Sequence, residues 1–172
     1  MKSFNLISVL FFTACASAPR YEKTVAHVEI DKFMGKWYVM AGRFTMFEKD
    51  VFNGIETYTL NPQEKRIDIS FTYNKKSFSG DEKSLPQKGW IYNTSTNSHW
   101  KVSPLWPLKF DYLIVDLASD YSWTVIGVPD QAYVWIMARD YTISKSKVDE
   151  IIKSMTEKGY NMKDIVFVPH KY

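Results

Sequence analysis

This sequence of 172 residues contains few cysteines and histidines, and its net charge is small. Cys15 is the only cysteine, so no disulfide can form within the domain. The three histidines, His27, His99 and His170, are scattered, and no two share a metal-ligand spacing, so we predict no metal site. The net charge of +3 comes from interspersed acidic and basic residues, which argues against a nucleic-acid partner.

Patterns that carry catalysis are missing as well. The sequence contains no Gly-x-Ser-x-Gly nucleophile elbow and no glycine-rich phosphate loop. Asp111 and Asp116 are near each other, yet strand alternation does not put them on one face. We therefore predict a protein that is not an enzyme and that needs no cofactor.

Aromatic residues are abundant by contrast. They make up 16% of the chain, with six Trp, eleven Tyr and eleven Phe. Aromatic side chains favour β-strands, and they form good walls for a pocket that holds apolar ligands. Filling of an ordinary β core is the alternative explanation for any single one of them.

Strands broken by turns about every ten residues follow from Lys36 onward, which is typical of an all-β barrel or sandwich. The segment Arg66 to Tyr73 alternates well, with its isoleucines and aromatics on one face. The candidate strands are Trp37 to Phe44, Gly54 to Leu60, Arg66 to Tyr73, Gln87 to Asn93, Ser98 to Ser103, Lys109 to Asp116, Ser122 to Val128 and Ala132 to Ala138.

The period then changes to that of a helix. Val148, Ile151, Ile152 and Met155 recur at spacings of three and four, with Ser144 or Ser146 available as a cap and Gly159 just past the end. A short apolar run from Ile165 to Val168 follows as a possible ninth strand. The order predicts an all-β fold, an eight-stranded antiparallel up-and-down β-barrel with one C-terminal α-helix packed outside and a short final strand.

The first 14 residues have the layout of a signal peptide, with Lys2 near the start and an apolar stretch from Phe4 to Phe12. The stretch is shorter than the roughly 20 residues of a spanning helix. Phe12-Thr13-Ala14-Cys15 resembles the lipobox of bacterial lipoproteins, in which the cysteine sulfur carries a diacylglycerol. A plain secretory peptide with an incidental cysteine is the alternative. We divide the chain into a signal peptide (1–14), a lipidated tether (15–31) and a barrel domain (32–172).

Three motifs stand in order along the predicted strands. Gly35-Lys36-Trp37-Tyr38 opens the first strand, Ser119-Asp120-Tyr121 lies between the sixth and seventh, and Arg139 ends the eighth. Together they resemble the three motifs of the lipocalin family, with Ser in place of the usual Thr in the second. The resemblance covers about Phe33 to Val168 and implies the eight-stranded calyx.

Further blocks narrow the resemblance to bacterial lipocalins and their relative apolipoprotein D. They are Arg43-Phe44 with Phe47-Glu48, Tyr58-Thr59-Leu60, Pro129-Asp130, and Val134 to Arg139. Bacterial lipocalins are typically outer-membrane lipoproteins, which agrees with the lipobox-like start. The residue after the cysteine is Ala16, whereas the usual signal that retains a lipoprotein in the inner membrane is an Asp at that position. The resemblance therefore implies a lipid anchor in the bacterial outer membrane. We expect the domain to face the periplasm, with the cell surface as the alternative.

The motif residues are expected to determine the fold. Trp37 can plug the closed end of the barrel, and Arg139 can stack its guanidinium on that indole. Gly35 permits a sharp turn beneath the plug. Asp120 and Tyr121 of the second motif belong to the same structural set.

Ligand contacts are expected from inward-facing positions. The resemblance points to Phe47, Tyr58, Tyr112 and Trp135, and alternation alone adds Phe71 and Trp100. The hydroxyls of the two tyrosines are candidates for a hydrogen bond to a ligand head group. For Arg43, neutralising an anionic head group and a solvated strand end are the two alternatives.

We predict binding, storage or transport of a small hydrophobic ligand in the cell envelope. Fatty acids, lysophospholipids or other small lipophilic compounds are the expected ligands, and a homodimer is possible because some relatives pair. Two alternatives stay open. One is a lipocalin-fold enzyme that acts on a lipophilic substrate, and the other is a structural envelope lipoprotein.

Overall fold

Nine strands and two helices make up the described part of the chain. The computed structural model describes residues 20–48 and 50–172, without the side chain of Phe47. The strands are β1 (Gly35–Arg43), β2 (Val51–Asn61), β3 (Arg66–Lys75), β4 (Glu82–Ile91), β5 (His99–Ser103), β6 (Phe110–Leu117), β7 (Trp123–Gly127), β8 (Val134–Ala138) and β9 (Val166–Phe167). The α-helices are α1 (Ile30–Phe33) and α2 (Lys145–Glu157), and a 3-10 helix covers Met46–Glu48.

The first eight strands close into an antiparallel barrel. Each strand pairs with the next, and β8 returns to pair with β1. Strand β1 pairs with β2 only over Gly35 to Tyr38, and further along it pairs with β9 instead. The C-terminal segment therefore bridges the seam there, and the amide of Asn53 on β2 donates to the carbonyl of Pro169 at 2.9 Å. The predicted barrel with an external helix and a short final strand is confirmed.

The two ends of the barrel differ. Strand β1 runs upward from the closed end, where residues 30–34 cross beneath the barrel and Phe33 packs on Trp37. The opposite end is called the mouth. Its four connections, called the mouth loops, are residues 44–50 (described at 44–48 and 50), 76–81, 104–109 and 128–133.

Residues 20–29 lie against the outer wall and link the two ends. The amide of Tyr21 donates to the carbonyl of Pro129 in a mouth loop at 2.7 Å, and that of Val28 donates to Thr96 at the closed end at 2.8 Å. The segment predicted as a tether is thus packed on the barrel over its described part. Cys15 and the signal peptide lie outside the described residues.

Helix α2 buries one face on the outer wall. Val148, Ile151 and Met155 are buried in a second core cluster that includes Leu113 and Ile136 of the sheet. Ser144 is the N-cap, and its hydroxyl accepts from the amide of Lys147 at 3.2 Å. Gly159 follows the helix with φ of 88°, a conformation in which a side chain would be strained.

Two elements depart from the sequence-based expectation. Strand β4 begins at Glu82 rather than at Gln87, because its polar first half is held by pairing with the long strand β3, from Glu82 opposite Asn74 onward. The short helix α1 was not expected, since its four residues show little periodicity. Within the described ranges, no helix combines the length and the apolar character needed to cross a membrane.

Candidate functional site

The closed end of the barrel is sealed by a stack of three side chains. Trp37 is fully buried, and its indole nitrogen donates to the carbonyl of Phe33 at 2.8 Å. The ring centroids of Phe33 and Trp37 are 5.1 Å apart, and the guanidinium carbon of Arg139 lies 3.8 Å from the Trp37 ring centroid. The indole therefore contacts both an aromatic ring and a cation.

Arg139 ties the closed end together through backbone carbonyls. Its guanidinium donates to the carbonyls of Lys32, Phe33, Met34 and Lys36 at 2.6 to 3.1 Å. These acceptors lie on the segment that crosses under the barrel, so one cation satisfies several carbonyl groups of an irregular turn. Partial burial lowers the pKa of Arg139 from its ordinary value.

The second motif joins the N-terminal segment to the same end. Tyr121 has φ of 59°, and its hydroxyl accepts from the amide of Glu29 at 2.8 Å. Asp120 accepts from the amide and the hydroxyl of Ser122 at 3.0 and 2.6 Å, and these bonds lower the pKa of its carboxyl. The turn is thereby fixed so that Tyr121 reaches the segment beneath the barrel.

Above the plug lies a layer of aromatic rings, called the floor, formed by Tyr58, Trp100 and Tyr112. The two tyrosine hydroxyls are 2.6 Å apart, and the rings of Trp100 and Tyr112 stack with centroids 5.4 Å apart. Tyr58 and Trp100 each pack edge-on against Phe33. The structure thus brings three of the predicted ligand-contact residues together, close to the plug.

The remaining predicted residues lie higher in the barrel. Phe71 stacks on Tyr73 with centroids 5.0 Å apart, and both face the interior core. Trp135 is half-buried against the same core and pairs with Gly42 near the mouth end of β1. Phe47 belongs to the 3-10 helix at the mouth, and its side chain lies outside the described residues.

Two buried carboxyl groups in this region were not expected from the sequence. Glu48 accepts from the Trp135 indole nitrogen at 2.9 Å and from the amide and hydroxyl of Thr45 at 3.1 and 2.8 Å. Glu56 is 7% exposed, and its Oε2 has no hydrogen-bond partner. Alternation along β2 puts Glu56 on the same face as Tyr58, a signal that could have identified it.

Burial dominates the electrostatics of the interior. It raises the pKa of Glu56 to about 8, with the negative charge of Glu48 as the second cause. Burial also raises the pKa values of Tyr58 and Tyr112 well above their ordinary range, with Glu56 as a further cause. Near neutral pH, Glu56 is therefore mainly a neutral acid, and both tyrosines keep their protons.

Arg43 faces the mouth loops rather than the barrel interior. Its guanidinium donates to the carbonyls of Ala132 at 2.8 Å, Lys163 at 2.5 Å and Asn161 at 3.2 Å, and also to that of Gln131. Its donors are thus used by backbone carbonyls, which differs from both sequence-based alternatives. The side chain connects the mouth to the segment after α2.

A groove of about 810 Å³ lies outside the barrel, between the β6–β7 connection and helix α2. Its lining mixes acidic and basic groups and includes the ion pair of Lys158 with Asp116. Such a polar surface is poorly suited to an apolar ligand, so we place the candidate site inside the barrel. Among the described residues, no three His, Cys, Asp or Glu side chains form a group able to hold a metal ion.

The barrel, its plug and its external helix define a class that comparison with known proteins confirms. A family model described as a lipocalin-like domain matches residues 28–170, and the chain belongs to the lipocalin family. Its curated relatives are bacterial lipocalins. Outer membrane lipoprotein Blc of Vibrio cholerae is 24% identical over 166 residues, which cover 96% of each chain. The protein of that name from Escherichia coli K12 is 26% identical and covers 90% of this chain and 88% of the relative.

Solved structures show the same fold at lower identity. Insecticyanin from the tobacco hornworm Manduca sexta has a TM-score of 0.65 at 15% identity, covering 89% of this chain and 88% of that one. Lobster apocrustacyanin A1 has a TM-score of 0.63 at 13% identity, covering 83% and 79%. None of the names of these relatives describes an enzyme, which agrees with the prediction made from the sequence.

Proposed function

We propose that this lipocalin binds one acyl-chain lipid, a fatty acid or a lysophospholipid, inside its barrel in a bacterial envelope. The envelope location rests on the relatives named outer membrane lipoprotein and on the lipobox-like segment before Cys15. The anchor is a lipid on the Cys15 sulfur, and the protein faces the periplasm. A tether of this kind keeps the barrel beside the lipids that it binds.

The observation that carries the proposal is the apolar interior between the floor and the mouth. Phe71 and Tyr73 face it from β3, and Trp135 and Met137 face it from β8. An eight-stranded barrel can hold one small ligand, and burial of an alkyl chain contributes about 0.8 kcal/mol per CH₂ at best. The costs of association and ordering offset much of this, so we expect affinity in the micromolar range.

The polar groups of the interior determine the orientation of the ligand. Glu48 and Glu56 are both acidic, whereas Arg43 and Arg139 donate to backbone carbonyls. A carboxylate or phosphate deep in the barrel would be desolvated without a cation, which costs several kcal/mol. The head group therefore stays at the mouth and the alkyl chain points toward Tyr58. An alkyl chain can pack beside Glu56 at lower cost when the carboxyl group is neutral, because a buried charge would lose its hydration.

A titration with acyl chains of increasing length tests this proposal. The protein is first stripped of bound lipid, and Trp fluorescence is followed, since Trp135 lies in the wall. We expect one-to-one binding whose affinity rises with chain length and stops rising when the chain reaches the floor. Absence of a saturable signal with any lipid would instead favour a structural envelope lipoprotein.

The anchor has its own test. Labelled fatty acid should be incorporated into the wild-type chain in bacterial cells and not into Cys15→Ser, because only the sulfur of Cys15 can carry the diacylglycerol. Fractionation should place the labelled protein in the outer membrane. Equal labelling of the two chains would contradict the anchor and leave lipid binding in the barrel untouched.

A further inference from the structure

The mouth loops carry an unusual share of exposed apolar surface. Met46 is 73% exposed, Leu105 69% and Trp106 64%. Seven of the twelve exposed large hydrophobic side chains in the described residues lie on or beside these loops: Met46, Phe78, Leu105, Trp106, Leu108, Phe110 and Tyr133. The closed end exposes Tyr92 and Leu60. Exposed apolar side chains concentrated at one end of a molecule are typical of an interaction site.

Basic groups accompany this apolar surface. The ammonium of Lys109 lies 4.2 Å from the ring centroid of Trp90 and 5.5 Å from that of Trp106, so the cation itself contacts the aromatic rings. An open groove of about 500 Å³ at the 76–81 loop is lined by three lysines and one acid, with Lys83 paired to Asp81 at 3.3 Å and with Lys75 and Lys76 beside them. Exposed aromatic and aliphatic groups next to lysines match the chemistry of a phospholipid interface, where acyl chains meet anionic head groups.

The N-terminal segment begins at the same end. Tyr21 is held to Pro129 of a mouth loop, and its ring packs on Tyr160 with centroids 4.8 Å apart. Cys15 precedes Tyr21 by six residues, which span at most about 21 Å when fully extended. Strand β2 alone, with its 11 residues, is about 36 Å long. A lipid on Cys15 would therefore hold the mouth, rather than the closed end, near the bilayer.

We propose that the mouth loops dock on the surface of a phospholipid bilayer, so that the barrel opens directly onto the lipid. Leu105, Trp106 and Leu108 lie at the boundary between head groups and acyl chains, and Lys75 and Lys76 contact anionic head groups. This surface is distinct from the ligand site inside the barrel. Its occupant is the membrane and not a second copy of the chain.

Spin labels on the full, lipid-anchored chain test the orientation. Leu108→Cys places a nitroxide on a mouth loop, and Tyr92→Cys is the matched control at the closed end, since both side chains are exposed. The proteins are reconstituted into vesicles of phosphatidylethanolamine and phosphatidylglycerol. Oxygen partitions into lipid, so we expect it to be the main agent that accelerates spin relaxation of the nitroxide at position 108. For the nitroxide at position 92, we expect the main agent to be a water-soluble nickel chelate. Two water-accessible labels would overturn the proposal, and so would lipid immersion of the label at 92.

Two further measurements separate this proposal from its alternatives. The unsubstituted chain should take up no label, and labelling of Cys15 would show a free thiol and contradict the orientation argued from its lipid. The combined variant Leu105→Ser, Trp106→Ser and Leu108→Ser should have the same oligomeric state as the wild type. It should also keep the wild-type affinity for acyl chains in solution without vesicles. Conversion of a wild-type dimer into a monomer would show that this face is an interface between copies and overturn membrane docking.

Discussion

The closed end and the mouth of this barrel differ in how much apolar surface they expose. At each end an arginine donates to four backbone carbonyls, Arg139 at the closed end and Arg43 at the mouth. Trp37 at the closed end is fully buried, whereas Leu105 and Trp106 at the mouth are mostly exposed. Between the two ends, Glu56 keeps a buried oxygen without a partner. The difference indicates that the first end serves stability and the second serves binding.

The largest effect should come from removing the plug. Trp37→Ala deletes a fully buried ring and the hydrogen bond to Phe33, so we expect a loss of about 3–5 kcal/mol in the free energy of unfolding. Urea denaturation measures this directly. Tyr92→Ser is the exposed aromatic control, with an expected change within about 0.5 kcal/mol. Equal urea midpoints for Trp37→Ala and Tyr92→Ser would show that the buried plug does not stabilise the closed end.

Substitution of Arg139 also tests whether the closed end stabilises the fold. Arg139→Ala should also destabilise the protein, because it leaves several carbonyls of the closed end without their donor. Because Arg139 stacks on Trp37, the double variant should cost less than the sum of the single variants. Additivity within about 0.5 kcal/mol would show that the stack carries no coupling energy.

A smaller and different effect is expected at the mouth. Trp135→Ala should weaken acyl-chain binding about tenfold, which corresponds to about 1.4 kcal/mol, because an aromatic part of the wall is lost. Its effect on stability should be smaller than that of Trp37→Ala, since Trp135 is only half-buried. Isothermal titration together with urea denaturation separates the two quantities. Trp135→Phe is the matched control that keeps an aromatic ring and removes the bond to Glu48.

An effect of another kind should appear as a change in pH dependence. Burial raises the pKa of Glu56 in the folded state to about 8, above the ordinary value of 4.5 in the unfolded chain. The folded state therefore binds the extra proton, so this group's contribution to stability is present below pH 4.5 and is lost as pH rises toward 8. Glu56→Gln should flatten the fall in Tm between pH 4.5 and about pH 8. An unchanged pH profile would contradict the buried, neutral carboxyl.

Much of the fold could be predicted from local pattern. The alternation of Arg66 to Tyr73 predicts strand β3, and the three- and four-residue spacing of Val148, Ile151 and Met155 predicts helix α2. The polar start of β4 could not be predicted, because pairing with β3 rather than its own sequence makes it a strand. Local propensity is overridden where a long neighbouring strand offers hydrogen bonds.

The candidate site was less accessible to sequence reasoning. Alternation identified Phe71, and it could also have identified Glu56, which shares a face with Tyr58. No local signal shows that the Tyr58 and Tyr112 hydroxyls meet at 2.6 Å, since the two residues are 54 positions apart. The same holds for Glu48 and Trp135, which are joined across 87 positions. The register of the closed barrel sets such contacts.

The sequence by itself determined the set of strands, the external helix and the residues of the plug, because these follow from periodicity and from short motifs along the chain. Tertiary structure alone decided which side chains form the floor, that Glu56 is buried without a partner, and that Tyr21 is held at the mouth. The physical reason is that burial and pKa depend on groups brought together by strand pairing across the whole chain. Local sequence specifies the elements, whereas closure of the barrel specifies their neighbours.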